Sequence, residues 1–126
     1  MTDCTEIAHR YIDAWNETDP TTRAARVGAL FSADARYVDP MAVAEGRDTI
    51  TATIAAVQEQ FPGFTFRLAG DVDGHHDQVR FSWELGPRGG PAPIAGFDVA
   101  VLDSAASDPE CRIRTVLGFL DRVPQA

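Results

Sequence analysis

The stretch Val79-Arg80-Phe81-Ser82-Trp83-Glu84-Leu85 alternates strictly between apolar and polar side chains. Because neighbouring side chains of a β-strand point to opposite faces of a sheet, this period of two predicts a strand with one buried face. Apolar residues alternate in the same way in three other stretches, residues 64–68, 97–101 and 113–119. Turn-forming residues separate the stretches at 74–78, 86–93 and 104–110. Four successive strands with short connections predict an antiparallel meander.

The chain before this meander has the period of amphipathic helices. Asp3 with Glu6 resembles a capping box, and an apolar stripe at helical spacing follows, comprising Ile7, Tyr11, Ala14 and Trp15. Asp19-Pro20 predicts a second helix start, since it places a capping side chain before a proline at the first helical position. The buried side of that helix is predicted to consist of Val27, Leu30 and Phe31.

The remaining elements follow from local signals. Residues 32–34 are predicted to form a turn, and residues 35–39 a short strand that Pro40 ends. A third helix is predicted from about Asp48 to Phe61, where Pro62-Gly63 stops it. Helices followed by a meander make an α+β domain, and residues 1–126 are predicted to form one such domain. Helices packed on one face of a bent sheet enclose an apolar pocket, with an aromatic lining predicted from Trp15, Phe31, Phe61, Phe81 and Trp83.

Composition excludes several classes of function. The formal charge of −8 disfavours binding to nucleic acid or to an anionic membrane surface. All eleven basic residues are arginine, so Schiff-base chemistry and a Walker-type phosphate loop, which need lysine, are excluded. The two cysteines, Cys4 and Cys111, match no disulfide framework or metal spacing and suit a cytoplasmic protein. No apolar run is long enough to span a bilayer.

Three polar residues occupy places where apolar ones would be easier to accommodate. Tyr11 lies within the apolar stripe of the first helix, Asp39 ends the first strand before Pro40, and Asp98 interrupts a strand between the small residues Gly96 and Ala100. Each also has a purely structural interpretation. The tyrosine can be a core residue, the first aspartate can open a turn, and the second can lie on a solvated face. Their combination is the more informative signal.

Four stretches of the sequence resemble the nuclear transport factor 2-like superfamily, and within it the SnoaL-like proteins and the Δ5-3-ketosteroid isomerases. These stretches are Tyr11-Ile12-Asp13-Ala14-Trp15-Asn16, Leu30-Phe31-Ser32-Ala33-Asp34-Ala35, Val38-Asp39-Pro40, and Gly46 before a helix. The resemblance implies three helices on a strongly curved, mainly antiparallel sheet, the cystatin-like cone. It also implies a homodimer that pairs through the outer face of the sheet.

The isomerases of this superfamily imply a role for each of the three polar residues. By motif, Asp39 corresponds to the carboxylate that removes a proton from the carbon next to a ketone. Tyr11 and Asp98 correspond to the two groups that donate hydrogen bonds to the enolate oxygen, and Asp98 would need a raised pKa to stay neutral. No metal or organic cofactor is required. The implied ligand is an apolar small molecule, and a SnoaL-like polyketide cyclase would use the same enolate chemistry.

Other chemistries of the superfamily fit the sequence less well. The epoxide hydrolases need an Arg-x-Asp strand and a further aspartate, whereas this chain has Arg80-Phe81-Ser82 and Gly118 at the comparable places. His75 and His76 lie in a polar turn, which favours a turn role over catalysis or metal binding.

A non-catalytic interpretation of the sequence stays open beside the enzymatic one. The same scaffold serves as a ligand-binding or dimeric interaction module. In that case we expect the pocket to be closed by Trp15, Phe31 and Phe61, with Asp39 and Asp98 turned to solvent.

Overall fold

A computed structural model describes residues 3–124, in which three helices pack on one face of a six-stranded sheet. The helices are α1 (Cys4–Asn16), α2 (Pro20–Leu30) and α3 (Arg47–Gln60). The strands are β1 (Phe31–Asp39), β2 (Ala42–Glu45), β3 (Phe64–His75), β4 (Gln78–Pro87), β5 (Ile94–Leu102) and β6 (Ile113–Arg122). The predicted α+β class is confirmed.

The first two helices begin where the sequence predicts. The Asp3 carboxylate accepts a hydrogen bond of 2.8 Å from the backbone N–H of Glu6, and the Asp19 carboxylate accepts one of 2.9 Å from that of Thr22. These caps satisfy backbone donors that have no partner inside the helix. None of the helices between residues 3 and 124 combines the length and apolarity needed to cross a lipid bilayer.

The sheet has the strand order β2-β1-β6-β5-β4-β3. Strands β3 to β6 form the predicted antiparallel meander, and β1 pairs in parallel with β6. Register shifts interrupt the β1–β6 ladder between Phe31 and Arg36 and the β3–β4 ladder between Ala69 and Asp73. Such irregularities bend a strand and increase its twist, so they curve the sheet around the helices.

Two local predictions were wrong. Residues 32–34 lie within β1 rather than in a turn, because the register shift accommodates them in the strand. Phe31 is the first residue of β1 rather than part of the second helix, although it is fully buried as expected. The short strand β2 was not predicted. It pairs with the end of β1 in a hairpin whose turn contains Pro40 and Met41.

Successive side chains of β5 lie on opposite faces of the sheet. Gly96, Asp98 and Ala100 are buried on the face that carries the helices. Phe97 points to the opposite face, where its ring stacks on that of Phe119 of β6 at 5.2 Å between centroids. We use the term outer face for this helix-free side, which includes Phe97, Val99, Leu117 and Phe119.

Gly96 leaves the space that its cross-strand neighbour Trp83 occupies. A Cβ at this position would meet the backbone oxygen of Phe119 and lie 2.7 Å from Cζ2 of Trp83. We therefore expect Gly96→Ala to lower the free energy of unfolding by roughly 1–3 kcal/mol, the usual cost of overpacking. Gly28→Ala is the matched control, because a Cβ at this helical position meets nothing within 4 Å. This control should be neutral or stabilising by up to about 1 kcal/mol. Urea unfolding of both variants measures the difference, and equal midpoints would contradict the assignment.

Candidate active site

A cavity of about 210 Å³ opens between α1, α3 and the inner face of the sheet, the face that carries the helices. Its wall is mainly apolar and aromatic, and its ionisable side chains are Tyr11, Tyr37, Asp39 and Asp98, beside the neutral Thr53 and Gln60. Among the described residues that line it there is no lysine, arginine or histidine. The structure therefore places all three predicted polar residues on one acidic, largely apolar cavity.

Tyr11 is a buried residue on the wall of this cavity. Its side chain is 2 % exposed, and its hydroxyl donates a 2.7 Å hydrogen bond to Oδ2 of Asp98. The ring contacts those of Phe31 and Phe81, with centroid distances of 6.3 and 5.0 Å. Burial, followed by the nearby charge of Asp98, raises the pKa of the Tyr11 phenol well above its usual value. The hydroxyl is therefore a hydrogen-bond donor at any physiological pH.

The aromatic residues predicted to line the pocket fall into two groups. Trp15, Phe61 and Trp83 lie on the cavity wall. Phe31 and Phe81 do not, because they pack in the core behind the Tyr11 ring, at 0 % and 1 % exposure. They support the tyrosine rather than contact a ligand.

Asp98 is a buried carboxyl on β5, 3 % exposed. Burial raises its pKa to about 6, and the charge of Asp39 adds to the effect, while donors from Tyr11 and Trp83 oppose it. Gly118, its partner on β6, leaves room for both carboxyl groups. A Cβ at this position would lie 2.7 Å from Oδ1 of Asp98 and 3.3 Å from Cβ of Asp39. The direction of this pKa change is the one expected for a hydrogen-bond donor to an enolate.

Asp39 combines a turn role with a place on the cavity wall. Its Oδ1 accepts hydrogen bonds of 2.8 Å from the backbone N–H groups of both Met41 and Ala42. Its Oδ2 accepts a hydrogen bond from the Tyr37 hydroxyl. With both lone pairs of Oδ1 engaged, Oδ2 is the oxygen that can accept a further proton.

Tyr37 is a site residue that the sequence analysis missed. Burial, the charge of Asp98 and the hydrogen bond to Asp39 all raise the pKa of its phenol above the usual value. The available signal was its spacing, because residues two apart on a strand share a face. An aspartate on the inner face at 39 places Tyr37 there as well.

The histidines lie elsewhere. His75 ends β3 and His76 follows in the turn, with a positive φ of 52°, and both are exposed and outside the cavity lining. Within residues 3–124, no group of three or more histidine, cysteine, aspartate or glutamate side chains is arranged to hold a metal ion.

Comparison with known proteins identifies the family. The SnoaL-like domain matches residues 8–116, which includes Tyr11, Asp39 and Asp98. The chain belongs to the SnoaL-like family. No curated protein sequence matches this SnoaL-like protein.

Solved structures agree with this assignment. A proposed isomerase of the SnoaL-like family from Agrobacterium tumefaciens strain C58 is similar, with 43% identity over 96% of this chain and 99% of that one, at a TM-score of 0.86. A proposed polyketide cyclase from Sinorhizobium meliloti has 17% identity over 90% and 93% of the two chains, with a TM-score of 0.67. A Nostoc punctiforme protein of unknown function with a cystatin-like fold has 14% identity over 94% and 89%, with a TM-score of 0.70. The two more distant likenesses establish the fold alone.

The buried carboxyl of Asp98 should make the stability of this SnoaL-like protein depend on pH. The folded chain holds this proton up to about pH 6, whereas an unperturbed aspartate loses it near 3.8. The stabilisation is therefore complete below about pH 4 and lost as pH rises through about 6. Since one pKa unit is worth about 1.4 kcal/mol, we expect a loss of about 3 kcal/mol relative to Asp98→Asn.

Urea unfolding of the wild type and of Asp98→Asn between pH 4 and 8 measures this difference. Asp13→Asn is the control for the loss of one charge, because Asp13 is exposed on α1. A wild-type curve parallel to that of Asp98→Asn across this range would show that Asp98 is not buried as described.

Proposed function

We propose that the protein catalyses proton transfer next to a carbonyl group through a stabilised enolate, as a ketosteroid isomerase-like enzyme or a SnoaL-like polyketide cyclase. The observation that supports this proposal is the convergence of Tyr11, Asp39 and Asp98 on one largely apolar cavity. The SnoaL-like family and its proposed isomerase and cyclase relatives agree with this class of chemistry.

In this mechanism Asp39 is the general base. Its Oδ2 removes a proton from the carbon next to the carbonyl, and the electrons of the C–H bond form a C=C bond while the carbonyl electrons move to oxygen. The hydrogen bonds from Met41, Ala42 and Tyr37 fix the orientation of the carboxylate. An isomerase then returns the proton from Asp39 to another carbon. In a cyclase the enolate carbon attacks a second carbonyl, the π electrons of that C=O bond move to its oxygen, and this oxygen takes the proton from Asp39.

Tyr11 and protonated Asp98 stabilise the negative oxygen. In the structure described here the tyrosine donates to Asp98, so the two groups already lie next to each other at 2.7 Å. A substrate oxygen beside this pair would accept a hydrogen bond from each once the Tyr11 hydroxyl turns from Asp98 to the ligand. Because both side chains are buried, little beyond this rotation is needed as charge develops.

The volume of the cavity limits the size of the substrate. Its volume of about 210 Å³ is below the roughly 300 Å³ at which sites for drug-sized ligands begin, and above the roughly 150 Å³ of a cavity that binds benzene. We therefore propose a substrate with one or two rings inside the cavity. A steroid would have to extend through the mouth.

Replacing Asp39 tests the proposed base. We expect Asp39→Asn to slow the reaction by on the order of 10²–10⁴-fold, the usual contribution of a general base. The assay follows hydrogen–deuterium exchange at the α-carbon of cyclic ketones, together with the ultraviolet band formed when β,γ-unsaturated ketones become conjugated. The ketones range from one ring to a steroid. Because an isomerase and a cyclase both form an enolate, hydrogen–deuterium exchange at the α-carbon detects either activity.

The controls separate catalysis from binding. Asp13→Asn removes an exposed carboxylate of the same helix as Tyr11 and should react like the wild type. Undiminished exchange in Asp39→Asn would reject Asp39 as the base. Ligand binding without exchange at any carbon would instead support the non-catalytic, ligand-binding role.

The requirement for protonated Asp98 predicts a specific pH profile. Since kcat/KM reports ionisations of the free enzyme, it should fall about tenfold per pH unit above about pH 6. Asp98→Asn replaces the acid with an amide that donates a hydrogen bond at every pH, so the falling limb should disappear. If kcat/KM of Asp98→Asn still decreased above about pH 6, ionisation of Asp98 would be excluded as the cause.

We also propose a homodimer that forms through the outer face. Leu117 and Phe119 are 39 % and 54 % exposed there, and stacked Phe97 makes the patch continuous. Burying this apolar surface against a second copy is favourable. Phe119→Arg should yield monomers in sedimentation velocity, whereas the α2 surface variant Ala24→Arg should leave the association state unchanged.

We place the protein in the cytoplasm. Cys4 and Cys111 are both free thiols, and free thiols persist most readily in a reducing compartment. Mass spectrometry of protein isolated under thiol-trapping conditions would detect both cysteines in the reduced form.

A further inference from the structure

The hydroxyl of Tyr37 lies between the proposed base and the groups proposed to bind the enolate oxygen. The side chain lines the cavity, and its hydroxyl donates a hydrogen bond to Oδ2 of Asp39, the oxygen that takes the proton. Burial raises the pKa of this phenol most, the charge of Asp98 comes next, and the hydrogen bond to Asp39 is third. Because the charge of Asp98 acts more strongly than a direct hydrogen bond, the hydroxyl lies close to that carboxyl as well.

The pairing of the strands explains this position. Tyr37 and Asp39 are two residues apart on β1, so both side chains lie on the inner face of the sheet. Tyr37 pairs with Val116 of β6, two residues before Gly118, which lies opposite Asp98. A Cβ at Gly118 would contact both carboxylic residues. The hydroxyl that binds Asp39 is therefore next to the gap that the two acids share.

We propose that Tyr37 is a further catalytic residue, which donates a hydrogen bond to the Asp39 carboxylate before proton transfer and to the enolate oxygen after it. This inference rests on the proposed function and adds a third donor to Tyr11 and Asp98. Negative charge leaves Asp39 and appears on the substrate in the same step, so the hydrogen bond follows the charge. Only the O–H bond of Tyr37 turns, while its ring stays in place.

The protons and electrons of this step balance. The electron pair of the substrate C–H bond forms the enolate double bond, and the proton stays on Oδ2 of Asp39. This oxygen changes from an acceptor to a donor, and the hydroxyl oxygen of Tyr37 accepts its new O–H. The phenol keeps its own proton, because its pKa is raised. That proton is then available to the enolate oxygen.

The distances required by the reaction agree with this role. A base oxygen has to lie about 3–3.5 Å from the carbon that it deprotonates. The enolate oxygen is only two bonds from that carbon, roughly 2.4 Å away. A hydroxyl that is hydrogen-bonded to Oδ2 of Asp39 can therefore reach the enolate oxygen without moving its own oxygen atom far.

The variant Asp39→Asn reproduces the state after proton transfer. The backbone N–H groups of Met41 and Ala42 need an acceptor at the position of Oδ1, so the amide NH₂ takes the position of Oδ2. There it donates to the hydroxyl oxygen of Tyr37, as protonated Asp39 would. The Tyr37 proton is then free to bind an anionic oxygen.

Pentafluorophenolate is the probe for this variant, because its anionic oxygen on a planar ring resembles an enolate. Hexafluorobenzene, which has the same shape without the oxygen, is the control ligand. We expect the addition of Tyr37→Phe to Asp39→Asn to weaken phenolate binding at least tenfold, since hydrogen bonds to charged groups are strong. Binding of hexafluorobenzene should stay within about twofold, because the new phenylalanine keeps the ring contact with Trp15. Titration calorimetry below about pH 6, where most of Asp98 is protonated, measures both affinities.

Kinetics with the base intact give a second measurement. In the α-carbon exchange assay, we expect Tyr37→Phe alone to lower kcat by on the order of 10²-fold, the usual effect of removing one donor to an oxyanion. KM should change by less than about threefold, because Tyr37 still donates to Asp39 while the ketone is bound.

Carbon magnetic resonance tests the proposal without replacing Tyr37. The chain has only two tyrosines, Tyr11 and Tyr37, so labelling Cζ with ¹³C gives two signals. In Asp39→Asn, pentafluorophenolate should move both signals, and it should move each of them further than hexafluorobenzene does.

The outcomes are distinct from those of the proposed function. A tenfold loss of phenolate affinity in the doubly substituted protein, together with no α-carbon exchange in the wild type, supports the donor role of Tyr37 while rejecting the catalysis of proton transfer. Undiminished phenolate affinity, or a Tyr37 signal that responds equally to the two ligands, overturns the inference. Tyr37 would then only orient Asp39.

Discussion

The hydrogen bond between Tyr11 and Asp98 joins parts of the chain that are 87 residues apart in sequence. It fixes the first helix over the third strand of the meander and removes both polar groups from water. A buried carboxyl is tolerated only with partners, and its tyrosine neighbour is in turn supported by Phe31 and Phe81. The core and the site are thus one structure, because the packing that stabilises the fold also orients the donors.

The two acids owe their proximity to the sheet rather than to loops. Asp98 lies opposite Gly118 on β6, and the neighbouring residue Leu117 pairs with Val38, which precedes Asp39. The carboxyls therefore flank one strand, at a backbone separation of roughly two strand spacings, about 9–10 Å. The missing side chain of Gly118 lets them approach each other across that strand. Their mutual charge is one reason for the raised pKa of Asp98.

Sequence patterns predicted the parts of this molecule that local physics determines. The caps at Asp3 and Asp19 and the period-two strands need only near neighbours, so they could be identified from the sequence. Strand β2 has four residues, too few for a period to be recognised, and the bulge in β1 depends on its pairing with β6. Whether an aromatic side chain faces the cavity or the core depends on sheet curvature, which explains the misplacement of Phe31 and Phe81. Tyr37 was missed although its signal is local, because its spacing of two residues from Asp39 places both side chains on one face of β1.

The placement of Asp39 and Asp98 on two strands that flank β6 has a consequence for evolvability. Strand pairing changes little when surface segments are lengthened, shortened or exchanged, whereas the exposed residues Met41 and Val123, which also line the cavity, lie outside the strands. Descendants of this chain could therefore acquire new selectivity by altering the entrance while inheriting an undisturbed pair of acids. The scaffold separates the part that can diversify from the part that must stay constant.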